Sequence, residues 1–133
     1  MGNVGESVAD EGDRARRASG ALESEVMAAL WSATGPLTSR QVRERLTVPL
    51  AYTTVMTTLT RLHVKGLVER TRSGQAFAYR PTEGAVLQAA DRMTDVLTKA
   101  GDTQAVLSRF VSGLDSHQEQ LLRELLTRAD EGE

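Results

Sequence analysis

The chain contains no cysteine, which excludes disulfides, thiolate metal sites and cysteine nucleophiles together. Aromatic residues make up only 4% of its 133 residues, so any core is mostly aliphatic. No apolar run approaches the roughly 18–20 residues needed to span a bilayer. The opening stretch "MGNVGESVADEGD" is polar and acidic, unlike a secretory signal. These absences predict a soluble cytoplasmic protein. The two histidines, His63 and His117, stand in no metal-ligand spacing, and no metal or other cofactor is expected. Asp115, Ser116 and His117 are the residue types of a hydrolytic triad, but consecutive helical residues do not face one another. Ser116 reads as a helix N-cap, no catalytic constellation is visible, and the chain is not expected to be an enzyme.

What is present is unevenly distributed. Hydrophobic residues reach 40%, enough for a packed core. The net charge of −2 conceals three blocks: residues 1–13 carry −4, residues 14–80 carry +7 from eleven bases against four acids, and residues 81–133 carry −5. A basic block between two acidic ones is an electrostatic footprint for an anionic partner.

Residues 1–19 lack apolar periodicity and read as a disordered tail, with a basic cluster "RARR" at 14–17. A first helix is expected from Leu22 to Ala33, its apolar face made by Leu22, Val26, Ala29, Leu30 and Ala33. Met27 and Trp31 broaden that face and read as core. Gly35-Pro36 ends it. Thr38 with Gln41 makes a capping box for a second helix, and Leu37 can staple onto Val42. A third helix is expected from Ala51 to Lys65, without a good N-cap residue and with Gly66 as a left-handed C-cap. "LVERTR", "SGQ" and "AFAYRP" then read as a β-hairpin with a three-residue turn. Phe77 and Tyr79 face inward, and Arg70, Arg72 and Arg80 surround it with positive charge. Three helices followed by a basic hairpin is the order of a winged helix-turn-helix.

Three further amphipathic helices follow. Val86, Ala90, Met93 and Leu97 mark the first, opened by Thr82. Leu107, Phe110, Val111 and Leu114 mark the second, capped by Asp102. Leu121, Leu122, Leu125 and Ala129 mark the third, opened by a capping box from Ser116 to Glu119. So short a segment cannot bury these stripes alone, which predicts a second copy of the chain, with Leu97, Phe110, Leu114, Leu121, Leu122 and Leu125 at the interface. The organisation is thus a tail (1–19), a winged-helix domain (20–81) and a helical dimerisation domain (82–133), mainly α with a small β-hairpin wing.

The third helix holds five threonines between Thr53 and Thr60, although threonine is a mediocre helix former. On a helical wheel Val55, Leu59 and Leu62 face the core. Thr54, Thr58, Arg61 and Lys65 form an exposed stripe, with Thr53, Thr57 and Thr60 beside it. A helix in the major groove needs short side chains, hydroxyls for phosphates and base edges, and methyls for thymine. Threonine supplies all three. Tyr52 adds an aromatic contact, and Arg61 and Lys65 neutralise phosphate. The alternative is an interaction adaptor that keeps the winged-helix shape without reading DNA, for which a neutral face would be expected.

"ESEVMAALW" (23–31), "LAYTTVMTTLTRLHVKGLVER" (50–70) and "AFAYRP" (76–81) resemble the BlaI/MecI penicillinase repressor family over about residues 22–133. The resemblance implies a dimeric winged-helix repressor that binds dyad operators with ACA/TGT-type half-sites upstream of β-lactamase or related genes. It implies release by a membrane-bound sensor metalloprotease acting upstream, with cleavage in the dimerisation region at Arg109-Phe110. Some members have asparagine at the position of Arg109. Thr54, Thr57 and Arg61 match recognition-helix contact positions, and Met56 stands where some members carry arginine. Ser39 and Arg40 match positions that reach phosphate, and the wing turn Ser73-Gly74-Gln75 matches one that approaches the backbone or minor groove. A copper-sensing branch relies on C-terminal cysteines, which this chain lacks.

Overall fold

The computed structural model describes residues 4–132. Nine elements follow one another: α1 (Val4–Ser32), β1 (Leu37–Thr38), α2 (Ser39–Arg45), α3 (Tyr52–Val64), β2 (Val68–Ser73), β3 (Ala76–Pro81), α4 (Glu83–Lys99), α5 (Thr103–Ser112) and α6 (Ser116–Glu131). They form two compact units, up to Gln88 and from Ala89 onward.

The first helix differs most from expectation. Where a disordered tail and a start near Leu22 were expected, α1 begins at Val4. No proline interrupts residues 4–32, and alanine, glutamate and arginine favour helix strongly. Gly12 and Gly20 each cost about 1 kcal/mol relative to alanine, which weakens the helical pattern without breaking it. The turns around Ser19 and Glu23 also gain partners on α3.

In the first unit, Val26, Ala29 and Leu30 of α1 meet Leu37, Val42, Val55, Leu59, Leu62, Leu67, Val68, Tyr79 and Ala85 in one aliphatic core. Met27 packs at its margin, whereas Trp31 is 48% exposed and does not join it. The capping box on α2 forms as expected. Gln41 N–H donates to Thr38 Oγ1, and Thr38 N–H donates to Gln41 Oε1. At the end of α3, Leu67 N–H donates to Leu62 C=O and Gly66 N–H to His63 C=O. With Gly66 at φ +77°, this is a Schellman motif. It turns the chain sharply from α3 into the sheet.

The sheet is antiparallel in the order β1-β3-β2, with Leu37 opposite Tyr79. Ser73 pairs with Ala76, so the hairpin loop is the two residues Gly74-Gln75, not the three expected. Gly74 lies at φ +66° and Gln75 does not have positive φ, the pattern of a type II′ turn, whose twist matches that of the strands.

α4 opens at Thr82, whose Oγ1 accepts from Ala85 N–H and donates to Gly66 C=O. Ala85 is in the core of the first unit, so the first turn of α4 belongs there and not with the later helices. In the second unit Asp102 caps α5, as expected. The cap of α6 is Asp115, whose carboxylate accepts from Gln118 N–H while the Gln118 side chain accepts from Asp115 N–H. Ser116, expected as the cap, is the first helical residue. A carboxylate at that position also interacts favourably with the helix dipole. α5 and α6 have no buried residue among those described.

Candidate nucleic-acid interface

α3 separates two chemistries on opposite faces. Val55, Thr58, Leu59 and Leu62 are buried. Tyr52, Thr53, Met56, Thr57, Thr60, Arg61 and Val64 are exposed, and Thr54 is half-buried. Thr58 is therefore not on an outward stripe. It lies within the core face, one turn from both Val55 and Leu62, and its hydroxyl donates to Thr54 C=O at 2.8 Å. That bond satisfies a buried polar group at the expense of a slight helix distortion. The exposed line runs through Thr53, Thr57, Thr60, Arg61 and Val64. The spacing of Val55, Leu59 and Leu62 already hinted at this, since Thr58 borders their arc on the wheel, about 40° from Leu62. The exposed Met56, Thr60 and Val64 were not among the predicted contacts.

The two cations of α3 both engage α1. Arg61 Nη1 donates to Ser19 Oγ at 3.0 Å. One bond to a neutral hydroxyl leaves the rest of its five-donor fork for other acceptors. Lys65 is different: its Nζ lies 2.8 Å from both carboxylate oxygens of Glu23. Its charge is matched, so the expected phosphate role passes to an anchoring one.

The neighbouring elements complete the surface. Ser39 is buried at the start of α2, so its side chain does not reach outward. Arg40 is exposed and pairs loosely with Glu44 at 3.6 Å. Arg43 Nε donates to Leu50 C=O at 2.9 Å and braces the turn between α2 and α3. In the hairpin, the Arg70 and Arg72 guanidiniums lie 4.3 and 5.3 Å from the centre of the Phe77 ring. These contacts orient the cations while leaving them at the surface. Arg80 instead forms an ion pair with Glu69 across the strands. Gln75 is exposed at the loop tip. Tyr52, Thr53, Thr57, Arg61, Arg40, Arg72 and Gln75 thus remain as outward groups. Thr54 is partly covered, Thr58 and Ser39 are buried, and Lys65 is exposed but engaged by Glu23.

Exposed hydroxyls on one helix, a turn braced by arginine and a hairpin carrying oriented cations suit a phosphate-lined groove. The penicillinase repressor family model matches residues 19–128. The chain belongs to the penicillinase repressor family. It is 42% identical over 118 residues to the transcriptional regulator BlaI of Mycobacterium tuberculosis strain CDC 1551 / Oshkosh, with 85% of this chain and 86% of that regulator aligned. The same identity and coverage hold for BlaI of strain ATCC 25618 / H37Rv. Among solved structures, the oxidized form of MarR from E. coli is similar at a TM-score of 0.46, with 18% identity over 97% of this chain and 95% of that one.

As a member of the penicillinase repressor family, the chain is a DNA-binding transcriptional repressor and not an enzyme. The family match starts at Ser19, the residue bonded to Arg61, so the earlier turns of α1 lie outside it. Among the described residues, no helix is long and apolar enough to cross a membrane.

Proposed function

We propose that this repressor acts as a homodimer, with α3 of each protomer in a major groove of a dyad operator and the β2–β3 hairpin against the adjoining backbone. The outward face of α3 carries this reading. Its hydroxyls and methyls present donors, acceptors and apolar contact at a depth compatible with base edges. Thr53, Thr54 and Thr57 read bases, Tyr52 contacts the groove wall, and Arg40, Arg61, Arg72 and Gln75 hold the backbone. The two-fold partner is supported by the second unit. Met93, Val96, Phe110, Leu121, Leu125 and Leu126 are all at least 44% exposed. An apolar groove of about 610 Å³ runs past Met93, Leu97, Leu107 and Phe110. Exposed apolar surface of this extent marks an interface, and Leu97, Leu114 and Leu122, only partly covered in one chain, would be sealed by the second.

The operator is of the ACA/TGT-type dyad class, placed before β-lactamase or related genes. Release follows proteolysis triggered by a membrane-bound sensor metalloprotease. The decisive experiment is selection of binding sites by the purified protein from a random duplex pool, with sedimentation of the complex. Two inverted half-sites about 10 base pairs apart, bound by two chains, are expected. A selected pool without dyad symmetry overturns the reading.

A further inference from the structure

Arg61 and Lys65 stand about one turn apart on α3, and their partners Ser19 and Glu23 stand about one turn apart on α1. Both pairs span 42 residues, so the two helices run side by side in the same sense there. The pairs differ in one chemical respect. Glu23 is a carboxylate and holds Lys65 by charge. Ser19 is half-buried and neutral, and its Oγ accepts one N–H from Arg61 Nη1 at 3.0 Å. Arg61 lies about 40° from Thr57 on the helical wheel, at the border between the outward face of α3 and the flank met by α1.

A long arginine side chain loses rotamer freedom when it grips a phosphate. A bond already made to a hydroxyl on a neighbouring helix takes part of that loss in advance. Being neutral, the hydroxyl leaves the charge and the remaining donors of the guanidinium for the phosphate. We propose that Ser19 is the positioning residue for Arg61: it orients the guanidinium for the DNA backbone, and the lack of charge at position 19 keeps Arg61 a DNA contact where Lys65 is an anchor. The Glu23–Lys65 pair, one turn further on, holds α1 and α3 at the spacing that puts the hydroxyl within reach. The inference rests on the reading of α3 as the helix that enters DNA.

The test titrates full-length protein onto a random-sequence duplex by fluorescence anisotropy across a salt series. Wild type, Ser19→Thr, Ser19→Ala and Ser19→Glu are compared, and the last two are repeated in an Arg61→Ala background. Ser19→Ala should weaken binding about 2–10-fold, the worth of one hydrogen bond, with the wild-type salt slope, since the phosphate contact survives. Ser19→Thr keeps the hydroxyl and should bind like wild type. Ser19→Glu should make Arg61 resemble Lys65 and lower the slope of log affinity against log salt by about 0.9, the share of one phosphate contact. In the Arg61→Ala background neither substitution should have a further effect, a coupling that a merely structural role for Ser19 would not produce. Wild-type affinity in Ser19→Ala, equal losses in both backgrounds, or a wild-type slope in Ser19→Glu each overturns the inference alone. Tighter binding by Ser19→Ala also overturns it, since Ser19 would then be holding Arg61 away from the DNA. Wild-type protein that binds no duplex overturns the reading of α3 and this inference with it.

Discussion

Lys65 Nζ sits 2.8 Å from each carboxylate oxygen of Glu23, whose side chain is only 14% exposed. This pair joins the last turn of α3 to α1 and separates two cations that look equivalent in the sequence. Arg61→Ala should flatten the salt dependence of DNA binding by about 0.9, whereas Lys65→Ala should change it much less. Because Lys65 is half exposed, its loss should cost under about 1 kcal/mol of stability. Salt titrations of the two variants check this, and equal losses of slope would return Lys65 to the phosphate.

Thr57 and Thr58 are adjacent in sequence and opposite in environment. Thr57→Ala should weaken binding to the selected dyad by about 1–3 kcal/mol, with little effect on random duplex. Thr58→Val keeps the volume but removes a buried hydroxyl together with its bond to Thr54 C=O. It should leave DNA binding intact and alter stability by less than about 1.5 kcal/mol. Competition binding and thermal melting separate the two; a specific binding defect in Thr58→Val would contradict the buried placement.

How far the sequence disclosed this depended on whether a signal was local. Val55, Leu59 and Leu62 mark the buried face of α3 by spacing alone, and Thr38 with Gln41 marks the start of α2 by its reciprocal bonds. Both are decided within a few residues. The extent of α1 was hidden because its early turns lack apolar periodicity, and the partners seen at Ser19 and Glu23 come from a helix 42 residues away. The fate of Lys65 was hidden for the same reason: a wheel shows which way a side chain points but not the carboxylate waiting there. Trp31 was expected to broaden the apolar face of α1, but it sits about 140° from Val26 on the wheel, and the core closes over Val26, Ala29 and Leu30 without it. The outward face of α3, by contrast, could be read in outline, since groove-compatible side chains are conspicuous where better helix formers are available.

Two glycines should respond in opposite directions to alanine. Gly66 has φ +77° in the Schellman turn, so Gly66→Ala should destabilise by about 1 kcal/mol or more. Gly20 lies inside α1, and an added Cβ there meets nothing within 4 Å. Gly20→Ala should stabilise by about 0.5–1 kcal/mol, a rise of roughly 2–5 °C in melting temperature. A neutral or destabilising result at Gly20 would argue against helix through that position in solution.

Leu125 is 50% exposed on α6, next to Leu126 at 60%. If the second unit is sealed by another copy, Leu125→Asp buries an unpaired charge at the interface, a cost of several kcal/mol. The variant should sediment as a monomer at micromolar concentration and bind a single half-site about as well as wild type. Its affinity for the full dyad should fall because the linked second site is lost. A dimeric Leu125→Asp variant would place the interface elsewhere.

The same coupling would give the proposed proteolysis its leverage. The Arg109-Phe110 bond lies within α5, and Phe110 is 44% exposed on the apolar side that borders the groove with Met93 and Leu97. A cut there ends α5 early and severs α6 from α4, so one chain no longer carries both sides of the apolar surface. A bivalent binder then becomes two monovalent ones. Avidity from linked sites reaches about 10²–10⁴, so cleavage should lower dyad affinity by up to that factor without altering any DNA contact. Purified protein cut at this bond should therefore resemble Leu125→Asp in binding and sedimentation. In cells, mass spectrometry should find intact chain before induction and fragments ending at Arg109 afterwards. Strong induction of the target genes with the full-length chain intact would exclude cleavage as the switch and leave a small ligand or a change in repressor level as the cause of release.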